Sequence, residues 1–490
     1  MTRPHCSAQA STDADVLSTV TRALDTLVLI GQQYQGLLPS VMDATTGQMF
    51  EQPPDPIVGQ RQGDRARWGC NLMHDHPLLW TLLGMSEILG RADYAQAVDR
   101  YLSRFTSHCV DTPSGLFPWG EHAYWRLDRD CFGNSNAEVG SDPSYPIIHD
   151  HLRAAPSWLW HRINALNPTC VQRYAHGLDY HFKFDEPTEF SRHACLMAGD
   201  PDLPDHKGYT AAGRPRRLTG PHDGANDFPR HSGFYAMDIA YAWSQSGDET
   251  LLPMLHRAAD YWWLKRNSHR VLPLQSRGPD IQHHAPQTLS LALSLCEAAD
   301  MLSTGPHKDT TLAASYRERA AYYIECCYAD QTYDDRDAVL HAKGRAWGGQ
   351  YGARGYILCT YPNLFLGLYR QTGEQRLLDT AMLLSARIAT TPLPNTNELT
   401  MPAADIAMAL MALVDLYVMT GDKCWYNDAM ILGHQALTLY FQYDLPIGAT
   451  GIHWYESQLG TSYLLYALAK LACLECNLDI TTMGFEISNR

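Results

Sequence analysis

The stretch Met408–Leu437, MALMALVDLYVMTGDKCWYNDAMILGHQAL, reads as two helices joined by one tight turn. Apolar residues recur at helical spacing up to Thr420, and Gly421 offers the left-handed backbone that ends a helix. Asp422 then stands where an acidic N-cap opens the next helix. The phrase occurs three more times: around Gly90 and Asp93 in LLGMSEILGRADYAQAVDRYL, around Gly247 and Asp248 in AMDIAYAWSQSGDETLLPMLHRAADYW, and around Gly373 and Glu374 in LFLGLYRQTGEQRLLDTAMLLSARI. Further apolar stretches of helical period lie near Val16–Tyr34, Leu289–Met301, Thr311–Tyr328 and Leu459–Cys476. The pattern predicts roughly twelve to fourteen helices and few strands of period two.

Repeated helical hairpins stack either into an open solenoid or into a closed ring. The turns at Gly373 and Gly421 are 48 residues apart, and long loops rich in Trp, His, Arg and Pro join the units. A solenoid has short, uniform connections, so the reading favours closure. The expectation is an all-α (α/α)6 or (α/α)7 toroid formed by residues 1–490 as one domain, with functional loops at one end. The stretch 200–227, dense in Pro, Gly and charge, is read as an insertion loop or lid.

Of 490 residues, 45% are hydrophobic and 19% charged, a composition with ample core, and the 12 Trp and 27 Tyr can also offer flat faces to sugar rings. The net charge of −15 argues against nucleic acid and anionic membranes as partners. No run of about 18 apolar residues stands out. The 13 Cys form no regular framework, and the lone CxxC of Cys473 and Cys476 has no second half to complete a zinc site. Reduced, buried thiols, and an N-terminal stretch without an apolar core, lead to the expectation of a cytoplasmic protein.

Polar and aromatic residues concentrate in seven loop segments: Asp64–His76, Phe117–Trp125, His149–His151, Glu189–His193, Asp227–Tyr235, Asp280–His284 and His453–Glu456. Within them Arg192-His193 and Arg230-His231 pair a bidentate carboxylate clamp with a group that exchanges protons near neutral pH. A helix beginning near Ser232 would put Tyr235 in its first turn, facing the ring centre. Candidate substrate contacts are Asn71, His74, Trp119, His122, Tyr124, Trp125, His231, His284 and Trp454, with Trp68, Trp119, Tyr124 and Trp125 as sugar platforms.

The segments WGEHAYW, SRHA and PRHSGFY, set among these hairpins over residues 60–300, resemble (α/α)-barrel polysaccharide lyases acting on uronate polymers, the pectate, glucuronan and alginate groups. The resemblance implies a catalytic set of Glu121, His193, Arg230 and Tyr235 and an anionic oligosaccharide as substrate. β-Elimination at a 4-linked uronate removes the C5 proton and expels O4. Arg230, with His193 or Glu121, would neutralise the carboxylate, and Tyr235 would move the proton. No cofactor is required. A divalent ion held by His122, His193, His231 and Glu189 is the alternative neutraliser.

Three other readings stay open. A sugar epimerase of N-acyl-glucosamine type would use His231 and His453. A glycoside hydrolase would use two of Glu121, Asp150, Asp227 and Glu456. A helical-repeat binding protein would perform no chemistry.

Overall fold

The structure is a computed structural model, and it describes residues 15–490 apart from 141–146, 150–151, 184–188, 207, 218, 221, 280, 349–356 and 396–398. Its helices, in chain order, are α1 Val16–Gln33, α2 Leu72–Leu89, α3 Ala92–Arg104, α4 Ser135–Val139, α5 Ser157–Leu166, α6 Pro168–Gly177, α7 Pro229–Ser246 and α8 Leu251–Leu264. They continue as α9 Ala285–Thr304, α10 Thr310–Ala329, α11 Arg336–His341, α12 Pro362–Thr372, α13 Gln375–Ala389, α14 Ala403–Thr420, α15 Lys423–Tyr440 and α16 Thr461–Glu475. The turn glycines act as the sequence suggests: Gly90, Gly247, Gly373 and Gly421 all cap helices in the left-handed region, with φ of 67°, 67°, 71° and 70°.

An inner ring follows from the packing. Helix α7 lies on α9, α9 on α12, α12 on α14, α14 on α16 and α16 on α2. Helix α5 fills the remaining place, its Trp158 ring 5.6 Å from Trp80 of α2 and its Trp160 indole donating to Asp238 of α7 at 2.9 Å. Each inner helix is backed by an outer one: α2 by α3, α5 by α6, α7 by α8, α9 by α10, α12 by α13, α14 by α15 and α16 by α1. The toroid therefore closes as seven hairpins, the last made from the two ends of the described chain.

The inner helices α14 and α16 are buried nearly all round and are apolar accordingly. Ala403–Thr420, with mean hydropathy 1.7, is long and apolar enough to cross a membrane by length and composition alone, although Asp405 and Asp415 interrupt its apolar run. It is 78% buried inside the protein, and its Asp415 forms a buried ion pair with Lys470 of α16 at 2.5 Å. Close approach of α7 and α9 depends on Gly233, where a Cβ would stand 3.0 Å from Ser294.

Short strands gather where long loops lead into the inner helices. Strand β1 (Val41–Asp43) pairs antiparallel with β7 (Trp454–Glu456), β3 (Ala123–Arg126) lies between β2 (Gly69–Cys70) and β4 (Cys131–Asn134), and β5 (Ile148–His149) pairs with β6 (Ala194–Cys195). Among the described residues, 200–227 carry no helix or named strand, only isolated bridges such as Tyr209 to Pro215. At the opposite end, segment 477–490 turns into the middle of the ring and buries Met483, Glu486 and Ser488. A cavity of about 620 Å³ remains there, bordered by Trp80, Trp158, Tyr241, Glu297 and Arg370.

Candidate active site

All inner helices begin at the long-loop end, so their partial positive N-terminal charges converge on one funnel. Helix α7 starts at Pro229 rather than Ser232, because proline suits the first helical position. This puts Arg230 in the first turn and Tyr235 in the second. The Arg230 amide donates to Gln287 Oε1 at 3.2 Å, joining the starts of α7 and α9. Its guanidinium faces Arg192 and Arg153, and burial together with these two cations pushes its pKa down to about 10. Among the described residues, the buried Arg230 Nε and Arg153 Nη1 have no hydrogen-bond partner. Among the described residues neither arginine has a carboxylate within ion-pairing distance.

Two neutral imidazoles border this cluster. His284 caps α9, its Nδ1 accepting from the Gln287 amide at 3.3 Å, so the neutral ring carries its proton on Nε2. Burial and Arg230 push its pKa down to about 4. His74, in the first turn of α2, has a buried Nδ1 without a partner. Burial, Arg153 and His76 hold its pKa well below the usual histidine range.

Arg192 is fixed from several sides. Its amide donates to Asn226 O at 2.7 Å, its guanidinium lies 4.0 Å over the Phe228 ring, and its Nε donates to His193 Nε2 at 3.2 Å. Behind it runs a buried relay whose tautomers follow from its first donor. The Trp119 indole N–H donates to His149 Nε2 at 3.3 Å, so His149 Nδ1 donates to His181 Nε2 at 2.9 Å. His181 Nδ1 then donates to Ser191 O at 3.0 Å and lies 3.1 Å from Tyr235 Oη, whose hydroxyl donates to Arg192 O at 3.3 Å. Tyr235 is fully buried and supports the backbone of Arg192 rather than facing the funnel. Asp150 and His151 lie outside the described residues.

A separate acidic group lies in the loops that lead to α2 and β3. Donor atoms of Asp64, Glu121 and His122 all lie within 4.8 Å of one another. His122 Nδ1 donates to Gly63 O at 2.7 Å, and its Nε2 stands 3.7 Å from Glu121 Oε2. The Asn71 amide donates to Gly120 O at 2.8 Å and so fastens this loop to the start of α2, three residues before His74. A divalent cation would find two carboxylates and an imidazole here. Among the described residues, His193, His231 and Glu189 do not belong to this group.

Several predicted contacts serve the scaffold instead. Trp119 has no exposed surface and packs against Phe105, Phe117, Trp160 and Tyr174, so no sugar can stack on it. Tyr124 is buried with its hydroxyl on Glu138 at 2.7 Å, and Trp125 packs on His108 and Phe132 with its indole on Asp130 at 3.1 Å. Two guanidinium groups already lie over the Trp68 ring, Arg67 at 4.3 Å and Arg126 at 4.9 Å. Asn71 spends its side chain on capping α2 and on Gly120. His231 is fully buried among Phe228, Phe234 and Tyr235. Trp454 donates to Glu456 at 2.9 Å, and Glu456 also holds Arg65 in a fully buried bidentate pair at 2.7 and 2.8 Å. Asp227 accepts from Tyr261 at 2.6 Å and from the Ser276 amide at 2.8 Å. Of the carboxylates considered for hydrolysis, Asp227 and Glu456 are thus committed to the scaffold, and Glu121 has the neighbour Asp64.

Nothing local in the sequence marks Arg153 beyond its place two residues after His151, whereas Arg192 and Arg230 stand in Arg-His pairs.

No protein-family model matches the sequence, and no curated protein matches it. Solved structures with a similar course of chain include the α-1,2-mannosidase from Trichoderma reesei, at TM-score 0.47 and 11% identity over 92% of this chain and 93% of that one. Another is an unsaturated glucuronyl hydrolase specific for heparin, at TM-score 0.43 and 11% identity over 94% and 98% of the two chains. A third is the cellobiose 2-epimerase from Bacillus thermoamylovorans B4167, at TM-score 0.43 and 9% identity over 94% and 99%. These likenesses concern the arrangement of helices and do not extend to the site. The three proteins are hydrolases and an epimerase by name, and none is named a lyase.

Proposed function

We propose that the chain is an enzyme acting on an anionic saccharide, and that Arg153, Arg192 and Arg230 hold the acid group of the sugar it transforms. The observation that carries this reading is the arginine cluster itself. Three cations drawn together at a funnel floor repel one another, and among the described residues the buried donors Arg153 Nη1 and Arg230 Nε have no acceptor. A carboxylate placed between them answers both costs with charge-assisted hydrogen bonds.

The chemistry this favours begins at the carbon beside the carboxylate. Neutralising the acid makes the C5 proton of a uronate removable and stabilises the enediolate that forms. His74, neutral and with a free Nδ1, is suited to accept that proton, while His284 can offer its Nε2–H to a sugar oxygen. Breaking the C5–H bond then leads either to return of a proton on the other face, an epimerisation, or to loss of O4 with its electron pair and a C4–C5 double bond. Hydrolysis is a second reading with its own observation. Asp64 and Glu121 bring carboxylate oxygens within 4.8 Å of each other, inside the roughly 5–5.5 Å that a retaining pair spans.

Incubation with 4-linked uronate oligosaccharides in D2O separates these outcomes. Absorbance near 235 nm reports elimination, deuterium at C5 without cleavage reports epimerisation, and new reducing ends without absorbance report hydrolysis. Equal turnover of carboxyl-reduced oligosaccharides would overturn the acid-binding proposal.

A further inference from the structure

Arg153 belongs to none of the helices whose N-termini frame the funnel, so something else must fix its guanidinium. It sits in the extended segment before α5, where the Ala154 amide donates to Ser488 O at 3.1 Å. Its guanidinium lies 5.0 Å over the ring of Tyr463, in α16. Tyr463 in turn shares a 2.8 Å hydrogen bond with Ser488 Oγ. Ser488 Oγ also meets His76 Nε2 at 2.9 Å, and His76 Nδ1 donates to Met73 O at 3.1 Å, one residue before His74. Glu486 completes the arrangement. Its Oε1 accepts the Ser488 amide at 2.5 Å, and its Oε2 stands 3.6 Å from His76.

Every polar side chain in this network is almost wholly removed from water: Glu486 and His76 are 0% exposed, Ser488 2% and Tyr463 0%. A fully buried carboxylate and imidazole inside the ring, beside the buried Met483, would be costly as mere filling. They stand where the backbone of the Arg153 segment, the ring beneath Arg153 and the turn carrying His74 all meet.

We propose that Glu486 and Ser488 are positioning residues of the acid-binding site: through His76 and Tyr463 they hold Arg153 where its guanidinium meets the carboxylate of the sugar. Segment 477–490 thereby forms the floor of the funnel from the far side of the ring. This inference rests on the reading of the arginine cluster as an acid-binding site.

The test is calorimetric titration of the full chain with glucuronate, in wild type, Arg153→Ala, Ser488→Ala, Glu486→Gln and each of the latter two combined with Arg153→Ala. Thermal unfolding verifies that each variant is folded, and Ser488→Thr serves as the conservative rescue should Ser488→Ala unfold. Arg153→Ala is expected to weaken glucuronate about tenfold or more. Ser488→Ala and Glu486→Gln are expected to weaken it several-fold on the wild-type background and not at all once Arg153 is gone, a coupling that a merely structural role would not produce. Wild-type affinity in Ser488→Ala and Glu486→Gln beside a loss in Arg153→Ala would overturn the inference alone, as would losses that add independently of Arg153. Unchanged affinity in Arg153→Ala would overturn the acid-binding reading and the inference with it.

Discussion

Tyr235 shows how a residue can be well chosen by type and still be placed for another task. In sequence it follows Arg230 by five positions and looks like a base for a proton beside the carboxylate. In the fold its hydroxyl closes the relay from Trp119 through His149 and His181 onto the carbonyl of Arg192. Tyr235→Phe is therefore expected to raise KM for an acidic saccharide by loosening Arg192, with kcat changed less. Loss of kcat at unchanged KM, in steady-state kinetics, would restore Tyr235 as the proton carrier. His284 gives a pH prediction. Its folded pKa of about 4 lies below the unfolded value, so the folded protein binds this proton less readily than the unfolded chain. The neutral ring's contribution to stability is complete above about pH 6.5 and is lost as pH falls from there through about 4. Thermal midpoints measured between pH 7 and 4 should fall less steeply in His284→Gln than in wild type, and equal slopes would contradict the assignment.

At the scale of elements, the glycine turns were legible because a left-handed C-cap is a local requirement. The caps that follow were legible only in part. Asp422 does cap α15, accepting from the Cys424 amide at 2.9 Å, and Asp248 accepts from the Thr250 amide at 3.0 Å just ahead of α8, but the acids at the other two turns pair with arginines. Asp93 pairs with Arg91, and Glu374 pairs with Arg376. Gly421 has open space where a Cβ would go, so Gly421→Ala meets only the backbone penalty of its positive φ. The expected cost is about 1–2 kcal/mol, read as an earlier midpoint in urea unfolding. Gly460→Ala, whose Cβ would stand 2.5 Å from Ala404, should cost more, and the reverse order would contradict this account of the turns.

For the whole molecule, ring closure could be read from the sequence, but the number of hairpins could not. The α5–α6 hairpin turns at Asn167-Pro168 without glycine, so it lacks the repeated phrase; Asn167 instead caps α6 by accepting from the Cys170 amide at 3.1 Å. The seventh hairpin joins α1 to α16, a pairing of distant segments that no local pattern announces. Site residues divide along the same line. Arg192 and Arg230 carry a local signature, whereas Arg153 carries none and is held by Tyr463 and Ser488, more than three hundred residues away. Closure also depends on the buried Arg65–Glu456 pair, which ties the first long loop to β7 with both side chains 0% exposed. Glu456→Ala would strand the Arg65 charge and is expected to destabilise the fold by about 3–5 kcal/mol. Wild-type unfolding in that variant would show that closure rests elsewhere.

The central claim is that the funnel recognises an acid group, and titration of one uronate disaccharide against its carboxyl-reduced counterpart tests it most directly. The account predicts that the acid binds more tightly by about tenfold or more, with an advantage that shrinks as salt is raised. Equal affinity for the two disaccharides at low salt would contradict it.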